Sequence, residues 1–107
     1  SKGLQVGGVV PMERKRLENF QANKEEIEYL EGKEPTPYYT QRLEDLRTEQ
    51  VEVEAWIRSI PNRRARHLCE LRYIDGMSLD KIAKRVHLDR STVGKIITKA
   101  IFSHHSP

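Results

Sequence analysis

A chain of 107 residues, 36% hydrophobic and 33% charged, supports one compact domain or a small domain with a helical arm, not one large core. No apolar run approaches the roughly 20 residues that cross a bilayer, and no charged-then-apolar leader precedes a small-residue cleavage site, so neither a membrane partner nor secretion is expected. The net charge of +3 hides an asymmetry: residues 61–107 carry ten Lys/Arg against four Asp/Glu, a balance of +6, while residues 1–60 carry nine against twelve, a balance of −3. A basic end beside an acidic one suits a chain of which only one part meets a polyanion.

Residues 1–11 hold Gly3, Gly7, Gly8 and Pro11 without a period and read as a flexible N-terminus. From Met12 to Glu31 helix formers dominate, and Leu17, Phe20, Ile27 and Leu30 supply a narrow apolar stripe. Gly32 is placed to stop this helix, and Thr36 followed by Pro37 reads as the cap and first residue of the next. Tyr39, Leu43, Leu46, Gln50, Val53, Ile57 and Ile60 then alternate steps of four and three, the seam of a coiled coil. Residues 12–60 therefore read as an antiparallel helical hairpin, an arm for oligomerisation or partner binding through Leu43, Leu46, Val53 and Ile57. Gln50 either sits at the edge of that seam, the plainer reading, or fixes its register.

A third helix is expected over residues 61–74, burying some of Ala65, Leu68, Cys69 and Leu71, with Asp75-Gly76 ending it. Cys69, the lone cysteine, excludes an internal disulfide framework; as a small buried hydrophobe it suits a reducing cytoplasm. Ser78 is placed to cap the following helix, although Lys81 leaves the capping box incomplete. Residues 103–107 read as a flexible tail, and no alternation long enough to build a sheet occurs, so the fold class is all-α.

The stretch LDKIAKRVHLDRSTVGKII, Leu79 to Ile97, has the pattern of two short helices joined by a tight turn. Ile82, Ala83 and Val86 share one helical face, Leu88 plugs the turn, and Val93, Ile96, Ile97 and Ala100 form the inner face of the second helix. That spacing fits a helix-turn-helix, residues 61–102, whose second helix enters the major groove of double-stranded DNA. His87 stands where the turn needs positive φ, usually Gly, and His is enriched among the exceptions; a metal ligand or pH switch there is the sharper but less supported alternative. Asp89 is positioned to cap the second helix with its carboxylate. Arg90, Ser91, Thr92, Lys95 and Thr98 are the expected base-reading residues, and Arg63, Arg64, Lys81, Lys84, Arg85 and Lys99, with Arg66, the expected phosphate contacts. Gly94 costs about 1 kcal/mol inside a helix; close approach to DNA or a tight helix crossing would account for it.

The residues Pro61, Leu71-Arg72-Tyr73, Asp75-Gly76, Ser78, Ile82-Ala83 and Ser91-Thr92-Val93 also resemble the fourth region of bacterial sigma factors. With the helical N-terminal half, the arrangement resembles sigma-like phage and prophage transcription regulators of the ArpU and RinA type. That resemblance implies sequence-specific binding at a phage promoter and activation of late genes in the cytoplasm of a bacterial host, without catalysis, with promoter contacts from Arg90, Ser91, Thr92 and Lys95. The expected partners are DNA, a second copy in a homodimer, and RNA polymerase through the hairpin. Two other readings compete: a phage small terminase subunit, which also joins DNA-binding helices to oligomerising ones, and a protein-interaction module that binds no DNA. An enzyme is not expected, nor a cofactor, metal or small-molecule substrate: His67, His87, His104 and His105 show no ligand spacing with Cys69, and no nucleophile–base pair or phosphate-cradling Gly loop occurs.

Overall fold

In the computed structural model, which describes residues 12–104, the described chain is all-helical: a helical hairpin followed by a helical bundle. The expectations for residues 1–11 and for His105 lie outside the described residues. Where one helix was expected over residues 12–31, α1 (Arg14–Glu18) and α2 (Phe20–Glu31) form, separated at Asn19. Gly32 ends α2 as expected. The Thr36 hydroxyl accepts from Tyr39 N–H at 3.1 Å, and with Pro37 it opens α3 (Pro37–Arg58). α2 and α3 pack against each other, with Leu30 and Leu46 both buried and the rim tied by Arg42–Glu26 at 2.8 Å and Arg47–Glu31 at 2.6 Å.

The seam of α3 is consumed inside one chain. Of the four residues expected to serve oligomerisation, Leu46, Val53 and Ile57 are buried within the chain, Val53 and Ile57 in its main core, and Leu43 is half-buried. Gln50 is half-buried, and its Nε2 donates to Phe20 C=O at 3.1 Å, tying α3 to the start of α2 within the protomer.

Asn62, not Pro61, opens the third expected helix, its Oδ1 accepting from Ala65 N–H at 2.9 Å. α4 (Arg63–Cys69) runs directly into a π-helical turn, Glu70–Ile74. Asp75 N–H reaches back to Glu70 C=O at 3.0 Å, the wider spacing of a π turn. Gly76 then reverses the chain at φ 73°, and Met77 N–H closes onto Leu71 C=O at 3.0 Å, a Schellman-type stop. Gln21 of α2 donates to Tyr73 C=O and Ile74 C=O, at 3.1 and 2.7 Å, so the hairpin base satisfies carbonyls at the end of this turn.

Ser78 caps α5 (Leu79–Val86), accepting from Lys81 N–H at 3.2 Å. His87 adopts the left-handed conformation at φ 61°, ψ 44°, and α6 (Arg90–Ser103) follows. Ile82, Ala83, Val93, Ile97 and Ala100 are buried, as the spacing required, while Val86, Leu88 and Ile96 pack half-buried against the same core; Ile101 joins it. That core is continuous. It contains Met12, Leu17 and Phe20 from the N-terminal segment and Val53, Trp56 and Ile57 from α3, together with the buried faces of α4, α5 and α6. The boundary expected at residues 60 and 61 is therefore a turn between helices that share a core, with only the outer part of the hairpin standing clear of it. The expected tail also begins too early: Ser103 closes α6, and His104 packs on Trp56 with ring centroids 4.9 Å apart and bonds the Ser59 hydroxyl at 2.8 Å.

Candidate nucleic-acid interface

The turn between α5 and α6 is built by one backbone choice. With His87 left-handed, Leu88 N–H closes onto Ala83 C=O at 3.0 Å, Leu88 drops toward the core, and the chain emerges extended at Asp89 to start α6. Asp89 holds the cap position, but its carboxylate makes no capping hydrogen bond, contrary to expectation; it stays exposed at the mouth of the helix. Burying Val93, Ile97 and Ala100 turns the opposite side of α6 outward by helical geometry. Arg90, Ser91 and Lys95 are exposed there, and Thr92 is half-buried. Arg90 lies 3.7 Å from Asp80, and both side chains are more than half exposed, so the pair holds Arg90 only loosely.

Thr98 departs from this pattern. It is half-buried and accepts from Arg14 Nη2 at 3.3 Å, because α1 passes beside the second half of α6. The two helices wall an open groove of about 640 Å³, lined among others by Arg14, Glu18, Ser91, Gly94, Lys95 and Thr98. The outward face of α6 is thus open along its N-terminal half and flanked along its C-terminal half. Gly94 lies in that groove, and a Cβ built on it would meet nothing within 4 Å. A tight helix crossing is therefore not what requires this glycine.

The expected phosphate contacts divide. Lys81, Lys84, Arg85 and Lys99 are exposed, while Arg63 and Arg64, also exposed, border a cleft with Val86 and Leu88 beside the turn. Arg66 is instead structural: half-buried, it donates to Ile60 C=O at 2.9 Å and pins the end of the hairpin to α4. Arg14 is the cation that sequence reading missed. The run Arg14-Lys15-Arg16 was visible, but only tertiary packing brings it beside α6. Cys69 is fully buried, and that burial, with Glu70 nearby, pushes its thiol up to about 12, a neutral and inert group at ordinary pH. Among the described residues, no cluster of His, Cys, Asp and Glu stands ready to hold a metal ion, and no helix is long and apolar enough to cross a membrane. Comparison of the chain with protein-family models, with curated proteins and with solved structures finds no match in any of the three.

Proposed function

We propose that this chain binds double-stranded DNA sequence-specifically and regulates transcription from a phage or prophage promoter, with the N-terminal half of α6 in the major groove. The observation that carries the reading is Gly94. A glycine inside a helix costs about 1 kcal/mol relative to Ala, and nothing within the molecule crowds its missing side chain. Space left open on an outward groove, between Ser91 and Lys95, suits close approach of an external surface.

The chemistry around it suits DNA. Arg90 and Lys95 donate to guanine O6 and N7, and Ser91 and Thr92 to bases or neighbouring phosphates. Lys81, Lys84, Arg85 and Lys99, with Arg63 and Arg64, meet phosphates that set the orientation. Thr98 is half-buried and accepts from Arg14, so it would meet a base or phosphate through its own O–H. A second copy, placing two α6 helices about one DNA turn apart, would raise affinity and specificity. With Leu46, Val53 and Ile57 buried within the chain, such pairing would draw on other, exposed side chains.

The test is to sequence genomic fragments retained by the chain, then measure binding to a retained site and to random duplex. Gly94→Gln is expected to keep the fold and abolish binding to both, by filling the space. Lys95→Ala is expected to weaken the retained site more than random DNA, by about 1–3 kcal/mol, while Lys84→Ala weakens both alike and flattens the salt dependence. Full binding by a folded Gly94→Gln variant would sink the reading. A sedimentation profile dominated by large rings would point to DNA packaging instead.

A further inference from the structure

We propose that Arg14, from the helix that precedes the hairpin, binds a backbone phosphate of the duplex at the edge of the stretch read by α6. This rests on the DNA-binding reading above and adds to it a contact from outside the helix-turn-helix. The DNA site is then assembled from two parts of the chain more than seventy residues apart.

Three observations lead there. Arg14 borders the same groove as Ser91, Gly94 and Lys95, with its side chain 47% exposed and one guanidinium nitrogen on Thr98 Oγ1. A guanidinium carries five N–H donors, so its contacts with Thr98, Tyr73 and Glu18 still leave donors for a ligand. Thr98 lies about 10 Å along α6 from Ser91, at 1.5 Å per residue. A helix in the major groove meets bases with its first turns, and in a groove about 12 Å wide its flank further along faces the sugar–phosphate strand. Arg14 stands on that flank.

α1 is also fixed, so it forms a wall of the groove rather than a lid over it. Leu17, Phe20 and Met12, at 1%, 3% and 8% exposure, anchor it in the shared core. Arg16 grips Glu49 through two bonds at 2.8 and 2.9 Å and Glu52 at 2.6 Å. DNA therefore meets Arg14 in place. Glu18, 3.7 Å from Arg14 and on the same groove, opposes the phosphate, which gives the wall two residues of opposite sign to test.

Binding of the wild type, Arg14→Gln, Arg14→Lys and Glu18→Gln to a retained fragment and to random duplex, followed by fluorescence anisotropy between 50 and 200 mM salt (about the range over which phosphate contacts are read), decides the matter. Arg14→Gln is expected to weaken both DNAs by the same factor and to make the slope of log K against log salt shallower by about 0.9. Arg14→Lys is expected to restore the slope, and Glu18→Gln to tighten both complexes. An unchanged slope for Arg14→Gln, or a loss confined to the retained fragment, overturns the phosphate assignment. Tighter binding by Arg14→Gln overturns it too, and makes α1 an obstruction. If Lys95→Ala loses binding while Arg14→Gln does not, this inference fails alone; if the wild type binds no duplex, the reading of α6 fails with it.

Discussion

At His87 and Cys69 the sequence makes two unusual local choices whose physical consequences can be measured. An L-residue in the left-handed region costs about 1–2 kcal/mol, and His87 accepts that cost at φ 61° because the turn into α6 needs it. His87→Gly removes the strain but adds unfolded-chain entropy of about 0.5–1 kcal/mol, so a net gain of about 0.5–1 kcal/mol is expected. His87→Val, β-branched, is expected to lose more than 1 kcal/mol. Thermal melts of the two variants check this, and a less stable Gly variant would show that the imidazole itself contributes. For Cys69 the sign follows from burial. A thiol raised from 9.0 to about 12 on folding stays neutral in the folded chain while the unfolded chain ionises. Its contribution is thus fully present below about pH 9 and is lost as pH rises toward 12. Tyr73, also raised by burial, acts in the same direction. Alkylation of Cys69 is expected to be negligible in native protein at pH 8 and rapid in denaturant; equal rates in both would contradict the buried placement.

At the scale of elements, α3 carries two faces that substitution separates. Leu46 is 4% exposed and Val51 67% exposed. Leu46→Ala is therefore expected to cost about 2–4 kcal/mol, and Val51→Ala less than about 0.5 kcal/mol, with the oligomeric state unchanged in both. A Leu46→Ala variant of normal stability and altered oligomeric state would restore the seam as an interface between copies. These elements differ in how legible they were from the sequence. The caps at Thr36 and Ser78, the stop at Gly76 and the left-handed His87 were all readable, because each is decided within a few residues by hydrogen bonding and sterics. The inward faces of α5 and α6 were readable from period alone. Other features depend on contacts between distant segments, which no local pattern encodes: the break at Asn19, Arg66 on Ile60 C=O, Gln21 under the π turn and α1 beside α6. The candidate site followed the same division. Arg90, Ser91 and Lys95 were readable on α6, whereas the flanking of Thr98 and the arrival of Arg14 were not.

For the molecule as a whole, the decisive fact is that the hairpin base and the α4–α6 bundle share one core. Burial this continuous makes unfolding of the two cooperative, since opening either exposes apolar surface of the other. The outer hairpin is different. Beyond Leu46 its contacts rest on Leu30, half-buried Ile27, Leu43 and Tyr39, and rim ion pairs, and exposed pairs of that kind are worth about 0–1 kcal/mol each. Amide hydrogen exchange is therefore expected to show a gradient along α3. Amides near Val53 and Ile57 should exchange as slowly as those near Val93 and Ile97, and amides near residues 38–43 much faster. Leu17→Ala, which hollows the shared core at a residue 1% exposed, is expected to cost about 2–5 kcal/mol. It should speed exchange in α6 and in the inner half of α3 together, and weaken the proposed DNA binding without removing any cation from the exposed face of α6. If that variant accelerates exchange in α3 while α6 keeps its protection, the two halves fold as separate units. The wall that α1 forms beside α6 would then lose its rigid support.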